Sequence, residues 1–220
     1  MGIIPRHVVI PTAEEPHNPS LPYVLASIRK HTDYIPVTVG KDWGLCDHIH
    51  TRQQPGRANV FANTDLAMQI ACETDWISDE FIWSNDDIYW LRPAHPIRWA
   101  IGWLEDAQGS TVYTQRKHHT AAWLHEHGLL TYDYEAHTPM LVHKTPMLEV
   151  LTHITTDPML DKRSMYGNTT GTPDLVAPDV KLRTRRDTIP TAAWVSTEGD
   201  PRKHPALKDL PHDPTQHHTT

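Results

Sequence analysis

The chain has 220 residues, of which 38% are hydrophobic and 21% charged, with a formal net charge of −7. That composition suits one globular domain and excludes a chain disordered throughout. The negative charge disfavours sequence-independent binding along a nucleic-acid duplex, and no apolar run approaches the ~20 residues needed to span a bilayer.

In chain order, "RHVVIPT" reads as a first strand. Ser20 is placed to cap a helix in which Leu21, Val24, Leu25 and Ile28 recur at the helical period. "IPVTVG" reads as a second strand, residues 43–58 as a loop with a short strand near "DHIHT", and residues 59–73 as a helix. On that helix Ala62, Leu66 and Ile70 share one face, with Ala67 and Ala71 beside it. "FIWS" is the next strand and runs directly into Asn85-Asp86-Asp87. Beyond it, residues 96–107 read as a helix carrying Trp99 and Trp103 on one face, and "TVYTQR" as a strand. "HTAAWLHEHG" reads as a helix closed by Gly128, and residues 132–154 as a polar loop passing into a helix. "MYGNTTG" reads as a flexible turn, and "DVKLRT" and "AAWVST" as late strands. The Pro- and His-rich tail, 206–220, is expected to be disordered.

Helices alternating with strands predict an α/β domain with a mainly parallel central sheet, a Rossmann-like three-layer α/β/α arrangement. Ligands of such sheets bind beyond the carboxyl ends of the strands. Thr12, Asp42 and Asn85-Asp86-Asp87 would gather there. Two adjacent carboxylates at a strand end have three uses: binding a hard divalent cation, acid–base work, or turn formation. Their apolar and aromatic flanks favour half-burial, and half-buried neighbouring carboxylates repel unless a cation neutralises them. A metal carrying a diphosphate would do so, and it would also stabilise the charge on the leaving group of a nucleotide-sugar. Cys46 and Cys72 form no CxxC pair and read as buried, reduced thiols. The 17 histidines show no zinc spacing. No Walker A, GxGxxG or GxSxG motif occurs. The first residues lack the features of a signal peptide, so the expected compartment is the cytoplasm.

"FIWSNDDIYWLRP", with "YDYEAHTPMLVHKTPMLEVL", "RSMYGN" and "WVSTEGD" downstream, resembles the DXD-type segment and later motifs of GT-A-fold nucleotide-sugar glycosyltransferases. The likeness is to the small enzymes of actinobacterial phages and, more distantly, to Stealth-type sugar-phosphate transferases. It spans residues 5–200, with Asn85 where a strict DXD has Asp. The resemblance implies one GT-A-like catalytic domain over 1–205, with a nucleotide-sugar half to about 93 and an acceptor half from about 94. It implies a metal-dependent transferase that moves a sugar from a nucleotide-diphosphate sugar, a UDP-sugar foremost, to an acceptor hydroxyl with Mn²⁺ or Mg²⁺. The acceptor is open among a virion protein, a modified DNA base and a glycan, and a phage origin would place the protein in host cytoplasm.

By the same resemblance Asp87 and His137 would hold the metal, with Asp86 beside them at the diphosphate. Arg57 would pair with phosphate, Asn63 would bind a sugar hydroxyl, and Thr12 and Asp42 would line the nucleoside pocket. Asp133 or Glu135 would take the acceptor proton. Arg183, Arg185 and Arg186 form a basic cluster that could meet phosphate, and Trp90, Trp99 and Trp103 could line an acceptor cleft. Transfer of sugar-1-phosphate, and binding of carbohydrate or nucleotide without turnover, are the alternatives.

Overall fold

The computed structural model describes residues 6–13, 19–183, 193–197, 200–204 and 207. The expectations for Arg185, Arg186 and the tail after 207 lie outside these residues. In chain order the elements are β1 (His7–Thr12), α1 (Leu21–His31), β2 (Ile35–Gly40), β3 (Asp47–His50), α2 (Val60–Glu73), β4 (Glu80–Trp83), β5 (Ile88–Trp90) and β6 (Trp99–Ala100). There follow α3 (Val112–Glu126), β7 (Met140–His143), α4 (Lys144–Thr156), α5 (Lys162–Thr170), β8 (Leu175–Val176), β9 (Lys181–Leu182) and β10 (Trp194–Thr197). The expected α/β class holds, with a mixed set of sheets whose largest is mostly parallel. Among the described residues no helix is long and apolar enough to cross a membrane.

The chain divides into two compact units. The first comprises residues 1–96, 137–140 and 180–220, and the second residues 97–136 and 141–179. The first is built on β1, whose Val8, Val9 and Ile10 are fully buried. Such a continuous β-branched run suits a strand covered on both faces. The sheet order is β3-β2-β1-β4-β7, with β1 parallel to β2 on one side and to β4 on the other. The chain therefore reverses its direction of travel across the sheet at β1.

Helix α1 buries Leu21, Val24, Leu25 and Ile28, and carries Arg29, Lys30 and His31 in its last turn, where cations suit the helix dipole. Ser20 occupies the cap position but its hydroxyl does not cap the helix. Ser27 hooks the next layer: its hydroxyl donates to the Val24 carbonyl and accepts the Trp90 N–H at 3.0 Å. A smaller sheet, β5-β10-β9, follows, with Trp90 opposite Trp194 and their rings edge to face.

Helix α2 packs on its alanine side and not on the face of Ala62, Leu66 and Ile70. It buries Ala67, Met68, Ala71 and Cys72, and leaves Leu66 37% exposed. Two alanines let the helix sit close on β1 and β2, whereas the face of Ala62, Leu66 and Ile70 would hold it further off.

The second unit corrects three sequence expectations. Residues 96–107 are not a helix: Trp99–Ala100 pairs with β8, the Ile101 N–H donates to the Asp133 carbonyl, and only Leu104–Asp106 turns helically. Residues 111–116 are not a strand but the cap and first turn of α3, where the Thr111 hydroxyl accepts the Thr114 N–H. The supposed flexible turn 165–171 lies mostly inside α5, and the Gly167 there serves close packing. A Cβ on it would lie 2.3 Å from the Tyr134 ring.

Alanine is the better helix former by about 1 kcal/mol. The clash with Tyr134 should outweigh that gain, so Gly167→Ala is expected to lose about 1–3 kcal/mol of stability. Urea unfolding of the two proteins checks this, and equal or greater stability of the variant would contradict the packing role.

Candidate functional site

A cavity of about 350 Å³ opens in the first unit at the carboxyl ends of β1 and β4. This is where β1 has its two parallel partners on opposite sides, the topological switch point at which open α/β sheets bind ligands. Pro11, Thr12 and Ala13 supply one wall, Val60, Asn63 and Thr64 of α2 another, and Asn85-Asp86-Asp87 a third. Gln53, His137 and Lys181 complete it.

The β1 end is fixed by its neighbours. The Thr12 hydroxyl donates to the Lys41 carbonyl at 2.9 Å, and the Gln53 amide donates to the Thr12 carbonyl. Gly40 lies opposite Thr12 at φ +133°, where a Cβ would stand 2.1 Å from the Thr12 oxygen, so only glycine fits.

Beyond β4 the Ile88 N–H donates to the Asn85 carbonyl, so Asp86 and Asp87 occupy the middle of a tight turn. Turn formation and site formation are thus the same event. Asp87 is half-buried. Its Oδ2 accepts a 2.8 Å hydrogen bond from the buried Ser196 hydroxyl of β10, and its carbonyl accepts the Thr197 N–H. Its Oδ1 is closed off from solvent and has no hydrogen-bond partner among the described residues. Beneath the turn, burial above all pushes the Tyr89 hydroxyl well above its ordinary value. The Ser20 and Thr197 hydroxyls offset part of that rise, and the charges of Asp87 and Asp86 add to it. Tyr89 therefore stays neutral.

Five of the expected site residues meet at this cavity: Thr12, Asn63, Asp86, Asp87 and His137. Asn63 is already engaged, its amide accepting the Gln54 N–H and donating to the Gln54 carbonyl. It holds the 53–63 loop against α2. Asp42 does not line the cavity. It is exposed and accepts the Gly44 N–H at 2.7 Å, an ordinary Asx turn. Arg57 begins a 3-10 turn, and its side chain lies outside the described residues. Lys181, Gln53, Thr64 and Ser196 were missed. Lys181 had one legible signal, since in "VKL" it alternates with two apolar residues that prove buried, Val180 and Leu182.

The fit to a divalent cation is divided. The orphaned buried oxygen of Asp87 is the kind of group that a hard cation satisfies. His137 does not fit, because its Nε2 already accepts from the Lys181 ammonium at 3.4 Å. A cation on that nitrogen would face a like charge. Among the described residues no group of three or more His, Cys, Asp or Glu is arranged to hold a metal ion.

Asp133 and Glu135 belong to the second unit. Asp133 is buried in an ion pair with the equally buried Lys117 of α3, and it also accepts the Glu135 N–H. Glu135 accepts the Tyr113 hydroxyl at 3.1 Å. Asp161, the cap of α5, accepts the Ser164 N–H. Burial, and then the charge and hydrogen bond of Glu135, raise its carboxyl well above the usual range, with the Ser164 N–H and Lys162 opposing.

No family model matches the sequence. No curated protein matches it either.

A carboxyl raised by folding stabilises the fold below its unfolded value near 4, and that contribution disappears as pH rises through the raised folded value. The stability of the protein should therefore fall over that window. Asp161→Asn keeps the α5 cap and removes the titration, so its unfolding midpoint should vary less from about pH 5 to about pH 9. Identical pH profiles for variant and parent would show that the Asp161–Glu135 pair carries no such linkage.

Proposed function

We propose that the chain is a GT-A-like, metal-dependent glycosyltransferase that takes a nucleotide-diphosphate sugar at the β1–β4 crevice. One observation carries this reading: Asp86 and Asp87 stand together at the switch point of a parallel sheet, and Asp87 holds one buried oxygen without a partner among the described residues. Buried polar atoms are usually hydrogen-bonded, so the open carboxylate oxygen supports a place here for a cation or a donor. The resemblance of the "NDD" strand end to a DXD segment supports the same assignment, with a UDP-sugar as the leading donor.

The residues divide the work by position. Asp87, oriented by Ser196, and its neighbour Asp86 set the negative edge against which a Mn²⁺- or Mg²⁺-loaded diphosphate is seated. When bound, that cation supplies the positive charge that stabilises the departing diphosphate. The tied-down end of β1, from Pro11 to Ala13, gives a rigid wall for the nucleoside, and rigid walls reduce the ordering cost of binding. In the transfer an acceptor hydroxyl forms a bond to the anomeric carbon, the bond from that carbon to the diphosphate oxygen breaks, nucleoside diphosphate leaves with that bond's electron pair, and the hydroxyl proton passes to water. Asp133 is committed to Lys117 and is set aside as the proton acceptor.

A donor at about 100 times its dissociation constant adds about 2.7 kcal/mol of stability, which a thermal scan resolves. One of the UDP-, GDP-, ADP- and TDP-sugars is expected to raise the midpoint in a Mn²⁺-dependent way, and Asp87→Ala should lose the Mn²⁺-dependent part. With an acceptor in hand, the product should be nucleoside diphosphate; nucleoside monophosphate would assign sugar-phosphate transfer instead. A parent protein that no nucleotide-sugar stabilises would refute the donor assignment.

A further inference from the structure

The cavity is not uniformly acidic. Lys181 enters it from β9, and the strand pairing fixes where the lysine stands. In the parallel β9–β10 ladder Lys181 is the register partner of Ser196, the residue whose hydroxyl orients Asp87. Val180 and Leu182 on either side are buried, so the alternation of the strand sends Lys181 to the opposite face, the cavity side. One ladder thus delivers a hydroxyl to the carboxylate and an ammonium to the cavity it borders. The ammonium donates to His137 Nε2.

We propose that Lys181 binds the phosphate charge in this cavity, and that His137 seats the lysine and is not a metal ligand. The ligand class is a diphosphate, either free or as part of a nucleotide. The proposal rests on the reading of the cavity as a donor site, but it differs from it in one testable respect. Binding of the diphosphate does not depend wholly on a divalent cation, because a resident ammonium carries part of the compensation. His137 Nε2 is unprotonated when it accepts from Lys181, so the imidazole limits the freedom of the ammonium without competing for the anion. Ser196 is the register partner of both Ile88, at the end of the turn, and Lys181, so β10 ties the Asp87 turn and the lysine to one strand.

The probe is inorganic pyrophosphate, titrated calorimetrically into the whole protein with Mn²⁺ and with a chelator, beside a matching titration of nucleoside diphosphate. Measurable pyrophosphate binding is expected in the chelator. Lys181→Met, which keeps the apolar stem, should weaken it by about tenfold or more, and Lys181→Arg should restore most of it. His137→Gln should leave the half-saturating Mn²⁺ concentration unchanged. Parent-like affinity in Lys181→Met would overturn the proposal, as would a parent that binds no pyrophosphate in the chelator. A shifted Mn²⁺ requirement in His137→Gln would return the histidine to the metal and overturn its seating role. Lysine-dependent pyrophosphate binding with no gain from the nucleoside would uphold this site while refuting the donor reading.

Discussion

The parallel pairing of β1 with β2 on one side and β4 on the other governs the first unit. Strands that leave β1 in opposite directions cannot both cover its carboxyl end, and the gap between them becomes the cavity. The fully buried Val8-Val9-Ile10 run makes that pairing obligatory, since a slip of register would strand backbone groups away from water. The contacts at the far end follow from it. Gly40 must be glycine because the register sets it against the Thr12 carbonyl, and Ser84 donates to the Val9 carbonyl to carry β4 into the Asn85–Asp87 turn.

The second unit is organised by polar burial. The inward face of α3 carries Thr114, Arg116, Lys117 and Thr120 with Ala121 and Leu124. Arg116 donates to the carbonyls of Pro158 and Leu160, Lys117 pairs with Asp133, and the Thr120 hydroxyl accepts the Asp161 N–H. A buried charge needs a counter-charge or hydrogen bonds, which Asp133 gives Lys117 and two carbonyls give Arg116. Such an interior adds little net stability, because the cost of desolvating the charges offsets most of their attraction, yet removing either member of a buried pair leaves the other uncompensated.

This contrast explains what could be read from the sequence. In the first unit apolar runs and helical spacing coincide with burial, so β1, α1, β2 and the strand before Asp86 were legible, and the site residues beside them with it. On α2 the sequence reading left the buried face open, and alanine spacing, not bulk, decides the close helix–sheet contact. In the second unit the buried side of α3 is cationic and hydroxylic, so no hydrophobic period announced it, and the β-prone "TVYTQR" read as a strand until the Thr111 cap is considered. Gly167 looked like a hinge for want of any sign that Tyr134 would pack on it. Lys181 and Ser196 reach the site through a ladder between late strands, a long-range pairing that local pattern does not encode.

The most direct measurement is a crystal structure of the protein soaked with UDP and Mn²⁺. A diphosphate seated between the ends of β1 and β4, against Asp86 and Asp87, is the result expected of a donor site. A nucleotide bound elsewhere, with the Asp87 oxygen satisfied by water alone, would contradict it and return the two carboxylates to the turn they form.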